Sequence, residues 1–262
     1  MLETIHYTLG DCVEGMKQFP DGFFDLAIVD PPYGDAGGVW SGKERFGGRF
    51  DRYRSTVQPI RNVVRPLQER NSSGSTTAAD RKDIQFCGGG YDLTRTGGTW
   101  ATKYGKKIIA WDTAPGKEYF DELFRVSRDQ IIWGGNYFDL PPTRCFLIWR
   151  KLSISENFSM AMCEYAWTSF NDNAKWFECA PQGSANDQRI HPTQKPVRLY
   201  EWILDKYAKP GYKILDTMVG SGSSLIACAR MGFEVWGFEI DEDYYKMSTE
   251  RIMRETAQGT LF

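Results

Sequence analysis

The chain has 262 residues, of which 41% are hydrophobic and 15% aromatic, and its formal net charge is −2. This length suffices for one large α/β domain or one domain with an insertion. No apolar run reaches the roughly 20 residues of a membrane-spanning helix, and residues 1–6 lack a secretion-signal pattern. Six scattered cysteines, without a Cys-x-x-Cys pair, and two histidines argue against a zinc site. We therefore expect a cytoplasmic protein with reduced thiols and no membrane or metal partner.

In chain order, strands alternate with helices outside one long basic segment. Strands are predicted over 5–9, 24–29, 107–111, 130–133, 145–149, 163–168, 213–215 and 234–238. Helices are predicted over 12–19, 118–127, 196–207, 223–231 and 242–255. Residues 171–189 form a polar stretch. The alternation predicts a mostly parallel sheet with helices on both faces.

The basic segment lies within residues 35–107. Its part from 43 to 107 carries 14 Lys and Arg against 6 Asp and Glu, a formal charge of +8, with more arginine than lysine and with interleaved aromatics. This composition favours contact with phosphates and base edges. A solvated insertion is the alternative, and the Ser- and Thr-rich run 71–77 is consistent with it.

The tetrapeptide Asp30-Pro31-Pro32-Tyr33 closes the predicted strand 24–29. Two prolines remove backbone donors and stiffen the chain, so a carboxylate and an aromatic ring flank a rigid backbone that can only accept hydrogen bonds. Such a segment is suited to hold a planar group that carries an NH2. A Pro-Pro turn with an Asp cap explains the same residues equally well.

Four predicted strands end in an acid, namely Asp11, Asp30, Asp216 and Glu239. Ligands of parallel sheets bind at the carboxyl ends of the strands. A glycine turn, residues 216–224, follows the third of these strands, and Glu239 lies 19 residues after Gly220, the spacing of an acid that binds ribose hydroxyls. The third glycine of a dinucleotide fingerprint would fall at Leu225, and a P-loop lysine is missing. The pattern therefore favours a nucleoside cofactor without phosphates.

These motifs resemble those of the amino-directed DNA methyltransferases. Residues 30–33 resemble the catalytic motif, residues 216–222 the S-adenosylmethionine motif, residues 191–196 the segment before it, and residues 10–12 the part that carries an adenine-contacting acid. Their order resembles the permuted β-type arrangement. The resemblance implies a Rossmann-like S-adenosylmethionine-dependent methyltransferase fold over residues 1–262, with a mostly parallel seven-stranded sheet, an antiparallel edge strand and a circularly permuted motif order.

The resemblance also implies roles for individual residues. The catalytic residues would be Asp30, Pro31, Pro32 and Tyr33. The cofactor-binding residues would be Asp11, Cys12, Asp30, Thr193, Lys195, Asp216, Gly220, Ser221, Gly222, Ser223 and Glu239. DNA contacts are expected from Arg45, Arg49, Arg52, Arg54 and Lys103 in the basic segment, since residues 171–189, at the usual position of the recognition domain, are few. A helix start is the alternative for residues 193–196.

The activity implied is methylation of adenine N6 in double-stranded DNA, by base flipping and direct transfer from S-adenosylmethionine. Asp at the first catalytic position usually accompanies adenine in this family, and Ser cytosine. Cytosine-N4 methylation and an inactive DNA-binding module are the alternatives. A small solitary enzyme of this type resembles phage or mobile-element proteins. A bacterial or phage origin, a homodimer and a cognate restriction enzyme are all compatible with the sequence.

Overall fold

The structure, a computed structural model, describes residues 2–34, 113–152, 154, 161–181 and 189–257. Its strands are β1 (Ile5–Leu9), β2 (Phe24–Val29), β3 (Ser127–Trp133), β4 (Phe146–Lys151), β5 (Cys163–Thr168), β6 (Lys175–Cys179), β7 (Lys213–Asp216) and β8 (Glu234–Glu239). Its α-helices are α1 (Cys12–Met16), α2 (Lys117–Val126), α3 (Val197–Tyr207), α4 (Ser223–Met231) and α5 (Glu242–Ala257). Short 3₁₀ turns cover Leu2–Thr4 and Gly135–Tyr137. None of the helices in these ranges is long and apolar enough to cross a membrane.

The eight strands form one sheet in the order β1-β8-β7-β2-β3-β5-β4-β6. All neighbouring pairs are parallel except the two that involve β5, which runs antiparallel to β3 and to β4. The first strand therefore pairs with the last one, and β2 lies between β7 and β3. This mixed, mostly parallel sheet confirms the predicted α/β class.

Two details of the predicted sheet were wrong. The described residues contain eight strands rather than seven, and the antiparallel strand lies inside the sheet rather than at its edge. The additional strand β6 occupies the middle of the polar stretch 171–189. It pairs in parallel with β4, and Phe177 stacks on Trp202 of α3 with 5.1 Å between ring centroids. Burial alternates along this edge strand, but the apolar Trp176 is exposed, so the residue types Lys-Trp-Phe-Glu-Cys do not alternate and gave no strand signal.

Helices cover both faces of the sheet because alternate residues of each central strand point to opposite sides. In β2, Leu26 and Ile28 belong to the hydrophobic cluster under α3 and α4. Ala27 and Val29 belong to a second cluster with residues of α1 and α2. Packing on both faces fixes β2 firmly, so the residue that follows it, Asp30, stands at a well-anchored point of the sheet.

Candidate active site

The four acids that end strands lie on four consecutive strands of the sheet. Asp11 follows β1, Glu239 ends β8, Asp216 ends β7 and Asp30 follows β2, which is their order across the sheet. Parallel neighbours present their carboxyl ends at one edge, so the structure brings these acids to the same edge, as ligand sites of such sheets require.

Asp30 is engaged by two partners, one on each carboxylate oxygen. The Tyr33 hydroxyl donates to Oδ1 at 2.9 Å, and the Lys195 ammonium donates to Oδ2. Burial raises the pKa of Asp30, and the Lys195 charge opposes this rise. Because a carboxylate offers about four acceptor positions, Asp30 keeps capacity for a further donor.

Lys195 links Asp30 to a second carboxylate that the sequence analysis missed. Its ammonium is 3.1 Å from Oε2 of Glu164, at the start of β5, and Oε1 of Glu164 is 2.5 Å from the ammonium of Lys151. Burial disfavours the Lys195 cation, but Asp30 and Glu164 outweigh it and raise the pKa of Lys195. Lys195 was expected near the cofactor, and its ammonium lies against the carboxylate of Asp30, which was itself among the predicted cofactor-binding residues. No spacing rule connects Glu164 to residues 30 and 195, so its sequence position carried no signal.

Tyr33 is held by a close-packed group on the loop after β3. Its ring stacks on Tyr137 with 4.7 Å between centroids and an interplanar angle of 21°. The Tyr33 ring also packs against Gly134, whose φ is +66°. A Cβ at this position would lie 2.1 Å from Cε1 of Tyr33. The loop after β3 thus contacts Tyr33 through both Gly134 and Tyr137.

The glycine turn after β7 is set by backbone conformation and by Glu239. Gly220 and Gly222 adopt φ of +53° and +81°, a region that side chains disfavour. The Gly220 N–H donates to Oε2 of Glu239 at 2.8 Å, and the Asp241 N–H donates to Oε1 at 2.9 Å. These two bonds leave acceptor capacity on Glu239, at the edge where a ribose hydroxyl was expected.

The serines of the turn face the protein interior. Ser221 and Ser223 are buried, and their hydroxyl oxygens are 3.2 Å apart. Arg251 of α5, which is also buried, donates to the Ser221 carbonyl at 2.7 Å and to the Ser223 hydroxyl at 3.0 Å. Arg251 therefore holds the turn from beneath, a contribution that no sequence pattern in the closing helix predicts.

Asp216 is enclosed below the turn. The Ser224 hydroxyl donates to Oδ2 and the Met218 N–H donates to Oδ1 at 3.1 Å. Burial raises the pKa of Asp216 to about 7, and these two hydrogen bonds only partly oppose the rise. The neighbouring Thr217 shares a 2.6 Å hydrogen bond with Tyr119 of α2. These contacts anchor the start of the turn to both β7 and α2.

The segment before α3 lies beside the turn. The His191 ring packs edge-on against Tyr244 with centroids 4.4 Å apart, and burial lowers the pKa of His191 to about 3, so this imidazole is neutral at pH 7. Thr193 is exposed, and its hydroxyl is 3.1 Å from Nδ1 of His191. Of the predicted residues in this segment, Thr193 lies at the surface and Lys195 in the interior.

At the other end of the edge, Asp11 caps a helix. Its Oδ1 accepts the N–H groups of Val13 and Glu14, at 2.8 and 3.0 Å, and the residue is exposed. The Cys12 thiol is buried in the cluster under α1, and burial raises its pKa to about 12. The capping role accounts for one oxygen of Asp11, and the thiol of Cys12 is occupied with core packing.

The remaining expectations concern residues that the structure does not describe. The predicted DNA contacts Arg45, Arg49, Arg52, Arg54 and Lys103, the segment 35–107 and the strand 107–111 all lie outside the described ranges. Among the described residues, no group of three or more His, Cys, Asp or Glu side chains could hold a metal ion.

The raised pKa of Asp216 makes stability depend on pH. Between about pH 4 and pH 7 the folded chain binds a proton that the unfolded chain releases, so the free energy of unfolding falls as pH rises. The side chain introduced by Asp216→Asn cannot ionise. We therefore expect the free energy of unfolding of this variant to fall by up to about 4 kcal/mol less than that of wild type over this pH range. Urea unfolding of both proteins without cofactor, from pH 4.5 to 7.5, measures the difference; parallel curves would contradict the assignment.

Comparison with known proteins places these motifs in context. A family model described as DNA methylase matches residues 100–250. The chain is 24% identical over 264 residues to "Putative methylase YubD" of Escherichia coli (strain K12), covering 95% of this chain and 92% of that protein. A shorter stretch of 65 residues is 38% identical to the type II methyltransferase M2.DpnII of Streptococcus pneumoniae and covers 25% of this chain and 24% of that protein.

One solved structure with a TM-score above 0.5 shows the same fold. The PvuII DNA methyltransferase, described as cytosine-N4-specific, is 12% identical and superposes with a TM-score of 0.51 over 98% of this chain and 92% of its own. The M1.HpyAVI complex with S-adenosylmethionine is 15% identical, with a TM-score of 0.48, and the match covers 95% of this chain and 98% of the other. The family model spans more than half of the chain, and the chain therefore belongs to the N6/N4 DNA methylases, a family of S-adenosylmethionine-dependent enzymes that act on DNA.

Proposed function

We propose that this protein methylates the N6 amine of adenine in double-stranded DNA, with residues 30–33 as its catalytic segment. The observation that supports this proposal is the state of Asp30, a carboxylate at the fixed end of β2 that is ion-paired with Lys195 and held by Tyr33. The Lys195 cation favours the ionised form of this carboxylate, which can then accept a hydrogen bond from an NH2 group.

The exocyclic amine of a base is a poor nucleophile because its lone pair is delocalised into the ring. Hydrogen bonds from the amine to the Asp30 carboxylate and to the backbone carbonyl of Pro31 would favour a pyramidal nitrogen with an available lone pair. Placement and electrostatics of this kind can supply most of the reduction of the barrier. After transfer, the nitrogen must lose a proton, and the buried carboxylate of Asp30 is the group next to it that can accept one.

The predicted cofactor residues fit S-adenosylmethionine, whose role is to supply an electrophilic methyl group on a sulfonium. Glu239 retains acceptor positions for ribose hydroxyls, and the bare backbone of Gly220 allows close approach. Asp216, with its raised pKa, gains stability as an anion when a positive ligand lies near. We assign Asp11 and Thr193 to the outer part of the site because both are exposed.

A base inside a duplex cannot reach Asp30, so the target nucleotide has to leave the stack, at a cost of a few kcal/mol. Stacking on Tyr33 would recover about 1–3 kcal/mol of this cost. The stacked Tyr137 and the close contact with Gly134 keep the Tyr33 ring in one orientation. The ring is therefore preorganised before the base arrives.

Adenine is the proposed base because the catalytic segment begins with Asp. The chemistry itself serves either amine, and cytosine N4 is the alternative outcome of the experiment below. The basic segment 35–107 is proposed as the part that contacts DNA, on its charge of +8 within residues 43–107. Homodimer formation and a cognate restriction enzyme remain hypotheses without a structural observation.

Nucleoside analysis tests the base directly. DNA lacking methylation is incubated with the protein and S-adenosylmethionine, digested, and analysed by mass spectrometry. We expect N6-methyladenine, and mapping the modified positions would give the target sequence. N4-methylcytosine as the product would overturn the adenine assignment, and no modified base under any DNA sequence tested would overturn the enzyme assignment.

Replacing the catalytic carboxylate tests the mechanism. Asp30→Ala should lower methyl transfer by at least about 100-fold, on the scale of losing one key electrostatic group in an active site. The variant should fold, because Lys195 keeps Glu164 as its partner. Tritium transfer measures activity, and calorimetry with S-adenosylmethionine should show cofactor affinity close to the wild-type value. Activity within a few-fold of wild type would contradict the catalytic role.

The contact between Gly134 and Tyr33 gives a further test. Gly134→Ala places a Cβ 2.1 Å from the Tyr33 ring, so we expect it to displace the ring and lower kcat by at least about tenfold. Gly211→Ala is the matched control, since Gly211 also has a positive φ (+86°) but open space around it. Both variants should lose about 1 kcal/mol of stability from strain. Equal kcat values for the two variants would argue against a precise Tyr33 position.

A further inference from the structure

We infer that Glu164, together with Lys151, is a positioning residue that sets how strongly Lys195 binds Asp30 and thereby how well Asp30 accepts the target amine. The inference rests on the proposed function only in taking Asp30 as the catalytic acceptor. Neither Glu164 nor Lys151 was predicted from the sequence.

The four charged groups form a continuous row with alternating signs. The Lys151 ammonium lies 2.5 Å from Oε1 of Glu164, and Oε2 of Glu164 lies 3.1 Å from the Lys195 ammonium. Lys195 then donates to Asp30, whose other oxygen accepts from Tyr33 at 2.9 Å. The row contains two cations and two anions, so its formal charge is zero.

The row is enclosed by the sheet and by tryptophan rings. Lys195 and Lys151 are 4% and 7% exposed, and burial opposes charge on both Glu164 and Asp30. The two ammonium groups lie over aromatic faces, Lys195 at 5.3 Å from the Trp133 ring centroid and Lys151 at 5.2 Å from that of Trp149. At this depth, solvent screens the charges little, so each neighbour has a large effect on the next.

Backbone pairing fixes the positions of Lys151 and Glu164, the two members of the row that lie farther from Asp30. In the antiparallel pair of β4 and β5, Glu164 is opposite Trp149, and the Lys151 N–H donates to the Met162 carbonyl at 2.8 Å. Lys151 and Glu164 therefore come from adjacent strands with a set register. Lys195, by contrast, lies in the irregular segment before α3, and the Glu164 carboxylate gives its long side chain a second fixed partner.

The sharing of Lys195 has a chemical consequence. With Glu164 ionised, the Lys195 charge is divided between two carboxylates, and Asp30 stays a good acceptor. Without Glu164, the whole ammonium charge would act on Asp30, making it a weaker acceptor for an amine and harder to protonate. Without the Lys151 charge, Glu164 would add its full negative charge to the row, and Asp30 would be easier to protonate.

The other ionisable residues near Asp30 are the same in every variant of the test described below. They are Tyr33, Tyr119 of α2, Tyr200 of α3 and Asp216 of β7, with His191 acting on the same row through its neighbour Lys195. The three tyrosines have pKa values raised well above 10 by burial, so they stay neutral. Asp216 titrates near pH 7, and its effect on cofactor binding is removed by measuring kcat at saturating cofactor and DNA.

The test compares two substitutions that change the charge of the row in opposite directions. Glu164→Gln should move the acidic limb of the kcat profile to lower pH, and Lys151→Met should move it to higher pH, each by at least about half a pH unit. The double variant restores neutrality and should return the limb toward the wild-type midpoint. Glu164→Asp, which keeps the charge, should also lie near wild type. Total tritiated-methyl transfer is the readout, so the identity of the base does not affect the result.

Glu255→Gln is the matched control, because Glu255 is a partly buried carboxylate paired with Arg230 at 2.8 Å, with no contact to the row. Its acidic limb should coincide with that of wild type. Limbs that move in the same direction for Glu164→Gln and Lys151→Met, or that do not move, would overturn the inference and leave Glu164 a structural residue.

A second readout needs no turnover. The pH dependence of the free energy of unfolding is measured for wild type, Glu164→Gln and Lys151→Met, each with and without Asp30→Asn. Within each pair, the difference between the two curves reports the titration of Asp30 in the folded cofactor-free chain. Its midpoint should shift in the same two directions. If wild type transfers no methyl group, the proposed function fails while this measurement still decides the role of Glu164; if transfer occurs and the midpoints coincide, only the inference fails.

Discussion

The ion pair between Asp30 and Lys195 is the interaction on which the site depends. A carboxylate enclosed at the end of a central strand would take up a proton if no cation were beside it. Removing Lys195 would leave the buried charge of Asp30 without a cation, which costs several kcal/mol, whereas Lys195 without Asp30 still has Glu164. The fold supplies the cation from a segment 165 residues away along the chain, and the packed faces of β2 hold the acid in place to receive it.

The acids at the edge of the sheet differ in which groups offset their negative charge. Asp30 has a lysine of the chain itself, whereas the contacts described for Asp216 and Glu239 are backbone amides and one hydroxyl. Burial raises the pKa of both of these acids. On the proposed function, the catalytic half is complete in the free protein, while the cofactor half gains its positive charge only with the ligand.

Much of the fold followed from local patterns. Helix 223–231 and strands 5–9 and 24–29 have the predicted bounds because their apolar periods and nearby glycines or prolines act within a few residues. Strand 163–168 also has its predicted bounds, although no Gly or Pro flanks it. Strand β6 was missed because its residue types do not alternate, since the apolar Trp176 is exposed on this edge strand. Glu164 could not have been found at all, since its partners lie on another strand (Lys151) and in the irregular segment before α3 (Lys195), and such distant contacts leave no trace in sequence spacing. Motif resemblance singled out Lys195 for a cofactor role, which stays a prediction; the contact of its ammonium with Asp30 could not be predicted because sequence similarity does not give the direction of a side chain.

The strand order also bears on how the chain acquires its structure during synthesis. β1 pairs only with β8 among the described strands, and β2 needs β7 on one side. A ribosome therefore releases residues 30–33 long before β7 exists. Contacts between such distant parts of a chain form slowly because long loops must close first. A nascent chain that stops before residue 213 thus presents Asp30 without its neighbouring strand β7.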